Sequence, residues 1–232
     1  MLKGELRRQA ILDTAEELFF EKGYVGATIQ DFLDRLECSK GSFYHHFDSK
    51  LQVLMELCRQ KAGQNYKYYQ IREHSDALAQ LNDLIYCAMP FRDGEDKTIA
   101  LLLPLVGLSD GKMVMDAILD AQREQFFPEV SRLLTILQSQ KMIHFHQPLL
   151  PALLWDGYTA CYRRLMEEAA RIGQGGGTGG VLQIIEAERF LWERLLDAPF
   201  GSMELVRGDE ALRAIGHAVT RIRRLESGST IV

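Results

Sequence analysis

Apolar residues return every third or fourth position along almost the whole chain, the spacing of amphipathic helices. In the first run Ile11, Leu12, Ala15, Leu18 and Phe19 share one face, and Gly23 follows where a helix stop is expected, predicting a helix over about 5–22. Ile29, Phe32, Leu33 and Leu36 make a second, short run behind Thr28, whose hydroxyl can cap free amides. Ser39 is another cap, and Phe43 and Phe47, four apart, bury one side of a third short helix. After Asp48-Ser49, the run Leu51, Leu54, Met55, Leu57 and Cys58 opens a fourth helix whose polar end reaches about Gln70. From His74 on the pattern predicts helices near 75–90, 96–108, 112–141, 149–172, 181–197 and 208–225. The breaks fall at Pro90 to Gly94, Ser109 to Gly111, His146 to Pro151, Gly173 to Gly180 and Pro199 to Ser202. No useful length alternates with the period of a strand, so the expected fold is all-α.

The second and third runs are two short helices joined by a tight turn, which describes a helix-turn-helix. A helix that enters a major groove needs donors for phosphate and base edges, and small residues near its start so that the backbone can approach. Ser39, Lys40, Gly41 and Ser42 supply both, and Tyr44, His45 and His46 lie on the same side or its edges. The plain alternative is a solvated helix surface, since charged faces usually mean water.

The stretch from Arg7 to Leu57 resembles the DNA-binding domain of the TetR/AcrR family of bacterial transcriptional regulators. The resemblance is carried by RRQAILDTAEELFFEKGYVGATIQ, by SKGSFYHHFDSK, by Gly23-Tyr24 after the first helix and by the Tyr44-x-x-Phe47-x-x-Lys50 ending. It implies a three-helix helix-turn-helix domain over 1–48 and a larger helical effector-binding and dimerisation domain over 49–232. It also implies that Tyr44, Thr28 and Lys50 hold phosphates, that Lys40, Ser42 and His45 reach bases, and that Ser39 and Gly41 complete the DNA-facing set. The chain departs from the family pattern at the turn, where Leu36-Glu37-Cys38 stands in place of Ala-Gly-Val. If the backbone is unchanged, Glu37 is held at positive φ at a cost of about 1 kcal/mol, with its carboxylate close to where phosphate would lie. Leu33 likewise replaces a small Ala.

The charge balance limits the DNA surface to a local patch. The 232 residues carry a net charge of −5, and even the first fifty hold more Asp and Glu than Lys and Arg, so non-specific DNA affinity is expected to be weak. Four scattered cysteines, Cys38, Cys58, Cys87 and Cys161, show no CxxC pair or metal spacing, which predicts reduced thiols in a cytoplasm. No apolar run approaches the roughly eighteen residues that span a bilayer. The GQGGGTGG stretch lacks the Lys-Ser/Thr of a phosphate loop and any preceding strand, and is read as a helix connector. His144 and His146 flank Phe145 with no nearby Cys or carboxylate, so they read as a helix-end loop and no metal or cofactor is expected.

Two features of the larger part bear on partners. In 181–197 apolar side chains including Ile185, Leu191 and Leu195 cover most of the circumference, so that helix must be buried on both sides. Burial within one chain satisfies the pattern; the family resemblance implies instead that this helix and 149–172 pair with a second copy in a four-helix homodimer seam. Met113, Phe126, Trp155, Tyr158 and Tyr162 belong to a soft, aromatic inventory that is core by default. In this family a cavity for a small effector draws on such a set, and its shortage of charge implies a mostly apolar or aromatic effector. No GxSxG elbow, HExxH pair or phosphate loop supports an enzyme. The expected function is a DNA-binding regulator, a repressor released from double-stranded operator DNA by a small molecule; the alternative is a regulator whose larger domain binds a protein.

Overall fold

The computed structural model describes residues 3–227 and is all-α across them, with the bundle of the first three helices followed by seven more. The outer ends of the expected 1–48 and 49–232 ranges, residues 1–2 and 228–232, lie outside the described residues. The first helix, α1 (Lys3–Gly26), is regular as far as Gly23, whose φ of 70° and ψ of 164° turn the chain where the sequence placed its stop. Next come α2 (Ile29–Arg35), α3 (Lys40–Tyr44) and α4 (Lys50–Gln70). Thr28, Ser39 and Ser49 cap these three, each side chain accepting a backbone amide three residues on. Thr28 and Asp31 form a full capping box.

A run of rings holds the first three helices together. Phe19 meets both Tyr24 and Phe32, Phe32 meets Phe43, and Phe43 meets Phe47, with centroids 5.5–6.4 Å apart. Phe32 and Phe43 are fully buried, so truncating either to Ala removes contacts worth about 3–5 kcal/mol.

The remaining helices are α5 (Ala77–Ala88), α6 (Asp96–Leu102, continued by a 3₁₀ turn Leu103–Leu105), α7 (Ser109–Ser139), α8 (Leu150–Gly173), α9 (Gly179–Leu195) and α10 (Gly208–Glu226). They match the six expected segments to within a few residues. The break expected at Ser109 to Gly111 is displaced: the chain turns at Gly107, with φ of 87°, and α7 already includes Gly111. A Cβ at Gly111 would collide with the carbonyl of Leu105, so glycine there permits close packing inside the first turn of α7. The long α4 packs on α1, α5 and α7, while α6 and α10 lie against each other and against α1. Helices α8 and α9 run antiparallel, with Gly157 beside Leu191 and Gly180 beside Glu168. No helix among the described residues is long and apolar enough to cross a membrane.

Candidate nucleic-acid interface

The turn between α2 and α3 sets the angle of α3. The amide of Cys38 donates to the carbonyl of Leu33 (3.0 Å) and that of Glu37 to Asp34 (3.4 Å), a Schellman closure of α2. Such a closure needs a left-handed residue, and Glu37 supplies it with φ of 47°. Arg7 of α1 donates to the carbonyl of Leu36 (3.4 Å) and so ties the turn to the first helix.

On α3 the residues expected to face DNA are together and open. Ser39, Lys40, Gly41, Tyr44 and His45 are exposed, and Ser42 is half-buried. The Lys40 ammonium lies 5.9 Å from the Tyr44 ring centroid, and no carboxylate pairs with it among the described residues. Thr28 is exposed at the start of α2, but its hydroxyl already donates to Asp31 (2.9 Å) and accepts from the Asp31 amide (3.3 Å). Lys50 is half-buried: its ammonium donates to the carbonyls of Tyr24 and Ala27, both at 2.6 Å, and covers the Tyr24 ring at 4.4 Å. Burial lowers its pKa from the ordinary value. Lys50 therefore closes the end of α1 as well as standing near the interface.

Three carboxylates of the first fifty residues, Glu17, Glu21 and Asp31, are paired away from α3. Arg35 binds Glu21 (2.8 Å) and Glu17 (3.6 Å), and Lys22 binds Asp31 (2.5 Å), which with the Thr28 bonds holds the Asp31 carboxyl down to about 2. On the other side, the His46 pKa is lowered by burial and then by His45, Arg7 and Arg8. Lowering the His46 pKa favours its neutral form, so the positive charge near the C-terminal end of α3 comes from Arg7 and Arg8, the latter paired with Glu56 at 3.2 Å. Composition hid this patch, because the compensating carboxylates lie close in sequence but on another face.

The expected effector residues do not assemble into one site. A cavity of about 500 Å³ lies between α1, α4, α6 and α10, walled by Phe19, Phe20, Leu57, Leu101 and Ile222 and reached from the bundle core by Tyr162 and Gln122. Tyr162 lines it. Phe126, Trp155 and Tyr158 are fully buried elsewhere: Trp155 stacks on Tyr158 (4.6 Å), Tyr158 donates to Gln122 (2.9 Å), and Phe126 meets Tyr66 (5.1 Å). Close packing in the core, and no open wall, explains their spacing. Met113 is 51 % exposed on α7 and touches no part of the cavity. Sequence reasoning missed Phe20, Lys97 and Arg221, whose polar or irregular positions carry no periodic signal.

The residues expected at a dimer seam are on an open face of α9. Leu191 and Leu195 are exposed and Ile185 is half-buried, while Trp192 and Val181 turn into the chain's own core. Phe190 and Leu182 of α9, with Leu149 and Leu153 next to or on α8, extend the exposed apolar surface. Thus one side of α9 packs within the chain and the other remains uncovered.

Residues 11–57 match the profile described as bacterial regulatory proteins, tetR family. The chain is 31 % identical over 97 residues to the HTH-type transcriptional repressor KstR2 of Rhodococcus jostii, covering 41 % of this chain and 48 % of that protein. Over 46 residues it is 44 % identical to the biofilm operon regulator IcaR of Staphylococcus aureus, or 20 % of this chain and 25 % of that one. The matches span about a quarter to a half of the curated relatives' lengths. In fold it is similar to a TetR-family transcriptional regulator from Pectobacterium atrosepticum, with a TM-score of 0.62 and 22 % identity over 85 % of this chain and 97 % of that one.

Proposed function

We propose that this chain, whose residues 11–57 match the TetR-family profile, is a transcriptional repressor of that family that binds operator DNA as a homodimer and is released by a small effector. The observation that carries this reading is the open face of α3, where Lys40, Gly41, Ser42, Tyr44 and His45 have no ion pair among the described residues. In it Tyr44, Thr28 and Lys50 meet phosphates, Lys40, Ser42 and His45 meet base edges, and the Ser39 cap and Gly41 let the helix start approach the duplex.

Two copies joined through the uncovered side of α9, with Ile185, Leu191 and Leu195 in the seam, would present two recognition helices to a pseudo-palindromic site. The DNA-binding unit is taken as 1–48 and the effector and dimer unit as 49–232, acting in the cytoplasm. A mostly apolar effector in the cavity beside α1 acts by binding one arrangement of the dimer more tightly than the other. The cavity's size, within the roughly 300–1,000 Å³ usual for small ligands, favours a small molecule over a protein at this place.

Selection of bound fragments from a genomic library tests the reading. A single enriched pseudo-palindrome, bound by two subunits in a gel shift and lost when Lys40 and Ser42 are both replaced by Ala, is expected. No enrichment over random DNA overturns it.

A further inference from the structure

The cavity between α1, α4, α6 and α10 has an apolar wall but an unequal charge. Its charged lining is Lys22, Lys61, Lys97 and Arg221 against Glu16 and Glu226. Two of the cations are already satisfied, Lys22 by Asp31 (2.5 Å) and Lys61 by Glu95 (3.1 Å). The other two are not. Lys97 has no carboxylate partner among the described residues, and its ammonium sits 4.5 Å from the Phe20 ring centroid. Arg221 lies over the same ring at 3.5 Å and comes only within 4.0 Å of Asp96. Its Nη2 is buried with no hydrogen-bond acceptor, although a guanidinium donor removed from water normally finds one. Both acidic lining residues, Glu16 and Glu226, are exposed to solvent, where their charge is screened.

We infer, resting on the effector reading above, that this cavity takes an amphipathic anion: an apolar tail lies along Phe19, Leu57, Leu101 and Ile222, and a carboxylate or phosphate head is held by Arg221 and Lys97. A neutral hydroxyl can accept from Arg221 but makes a weaker bond than an anion and balances neither charge, and a cationic ligand is repelled by both groups. The placement also links the site to DNA. Phe20 belongs to α1, whereas Lys97 and Arg221 belong to α6 and α10. An anionic head competes with the Phe20 ring for both cations, so occupancy loosens the hold of α6 and α10 on the first helix.

Calorimetric titration of the full chain without DNA, using decanoate, decyl phosphate, decanol and decyltrimethylammonium, tests this. At least one anion should bind about tenfold more tightly than decanol, and the cation more weakly than decanol. The stronger of the two anions identifies the head as carboxylate or phosphate. Arg221→Gln should erase most of the roughly tenfold preference while leaving decanol binding within about twofold. Lys97→Gln, at an exposed position where substitution costs little stability, should reduce the preference in the same direction. Equal binding of decanol and both anions, an unchanged preference in both variants, or no binding by any of the four overturns the inference. Operator binding measured on the same preparations stands or falls independently, so loss of DNA binding would count against the repressor reading and not against the anion site.

Discussion

The Tyr24 hydroxyl donates to the Asp110 carboxylate across 3.2 Å, joining the end of α1 to the first turn of α7. Burial, with the Asp110 charge beside it, pushes the Tyr24 phenol up to about 12. The bond ties the first three helices to the longest helix of the larger part, beside the packing of α1 on α4, α6 and α10. Tyr24→Phe removes one charge-assisted hydrogen bond between a buried ring and a half-buried carboxylate, so melting should show a loss of about 1–2 kcal/mol. Operator affinity should fall several-fold as well, because the two units become free to take more than one orientation. A variant with parental melting and parental affinity would show that the bond positions nothing.

Lys50 and Tyr44 separate positioning from contact. Lys50→Ala strips two carbonyls at the end of α1 of their donor, which should lower stability by roughly 1–2 kcal/mol. An ammonium has three donors, so one remains for phosphate, and the salt dependence of operator binding should lose about one unit of slope. Tyr44→Phe, at an exposed hydroxyl, should weaken binding to all sequences alike while melting as the parent does. Chemical denaturation and gel shifts at several salt concentrations check both; a stable Lys50→Ala variant would remove its structural role.

Much of this was legible in sequence because it depends on local rules. Thr28, Ser39 and Ser49 are capping residue types directly ahead of apolar runs, and each caps in the structure. Phe43 and Phe47 are four apart and both turn inward. Glycine commonly ends helices, so Gly111 signals a break in the sequence, whereas in the fold it serves a close approach that only tertiary structure reveals. The cavity was not legible for a related reason. Periodicity reports that Phe126, Trp155 and Tyr158 are buried, but burial against neighbours and burial around an opening give the same spacing. Arg221 and Lys97 matter through a shared ring on α1, a relation over some eighty to two hundred positions that no local pattern encodes.

Glu188 of α9 predicts a pH dependence of stability. Its carboxyl is buried, accepts from Trp192 Nε1 (2.7 Å), and is pushed from near 4.5 up to about 7 chiefly by burial; the Trp192 bond and Arg164 oppose the rise. The folded chain therefore holds a proton there that the unfolded chain releases at lower pH. The associated stability is fully present below about 4.5 and is lost as pH rises through about 7, a change of up to about 3 kcal/mol. Glu188→Gln keeps the acceptor and cannot ionise, so the difference between parent and variant should grow in the variant's favour from pH 5.5 to 8. A constant difference across that range would show that Glu188 is ionised in the folded chain.

The open side of α9 predicts assembly. Leu191 and Leu195 are four apart and exposed, so in a lone chain a charge there costs little. In a dimer seam the same carboxylate is buried without a partner, at several kcal/mol, enough to dissociate a micromolar dimer. Leu191→Glu and Leu195→Glu should each give folded monomers that bind operator poorly, whereas Ile185→Glu, at a half-buried position, should also cost stability within the chain. Sedimentation showing intact dimers for all three would place the seam on another surface.

Glu37 is where the chain departs from the TetR-family pattern it otherwise resembles, and the backbone retains the left-handed turn, with φ of 47°. Glu37→Gly relieves the strain of a side chain in that region. It also enlarges the conformational freedom of the unfolded chain, so the two effects nearly cancel and stability should change by less than about 1 kcal/mol in either direction. Binding is not subject to that cancellation. The Glu37 carboxylate is exposed on the turn that leads into Ser39 and Lys40, the start of the proposed recognition helix. Removing a negative charge near phosphate, at the high effective dielectric of a wet interface, should tighten operator binding by roughly 0.5–1 kcal/mol per subunit, more at low salt than at high. Glu37→Gln separates charge from backbone, because it keeps the side chain and its strain while removing only the charge. The expected order of affinity at low salt is therefore Gly and Gln alike, both above the parent, with the gap closing as salt rises. If Gln binds no better than the parent at low salt, the carboxylate points away from DNA, and a gain seen with Gly alone would then belong to the relaxed turn and the recognition helix it aims.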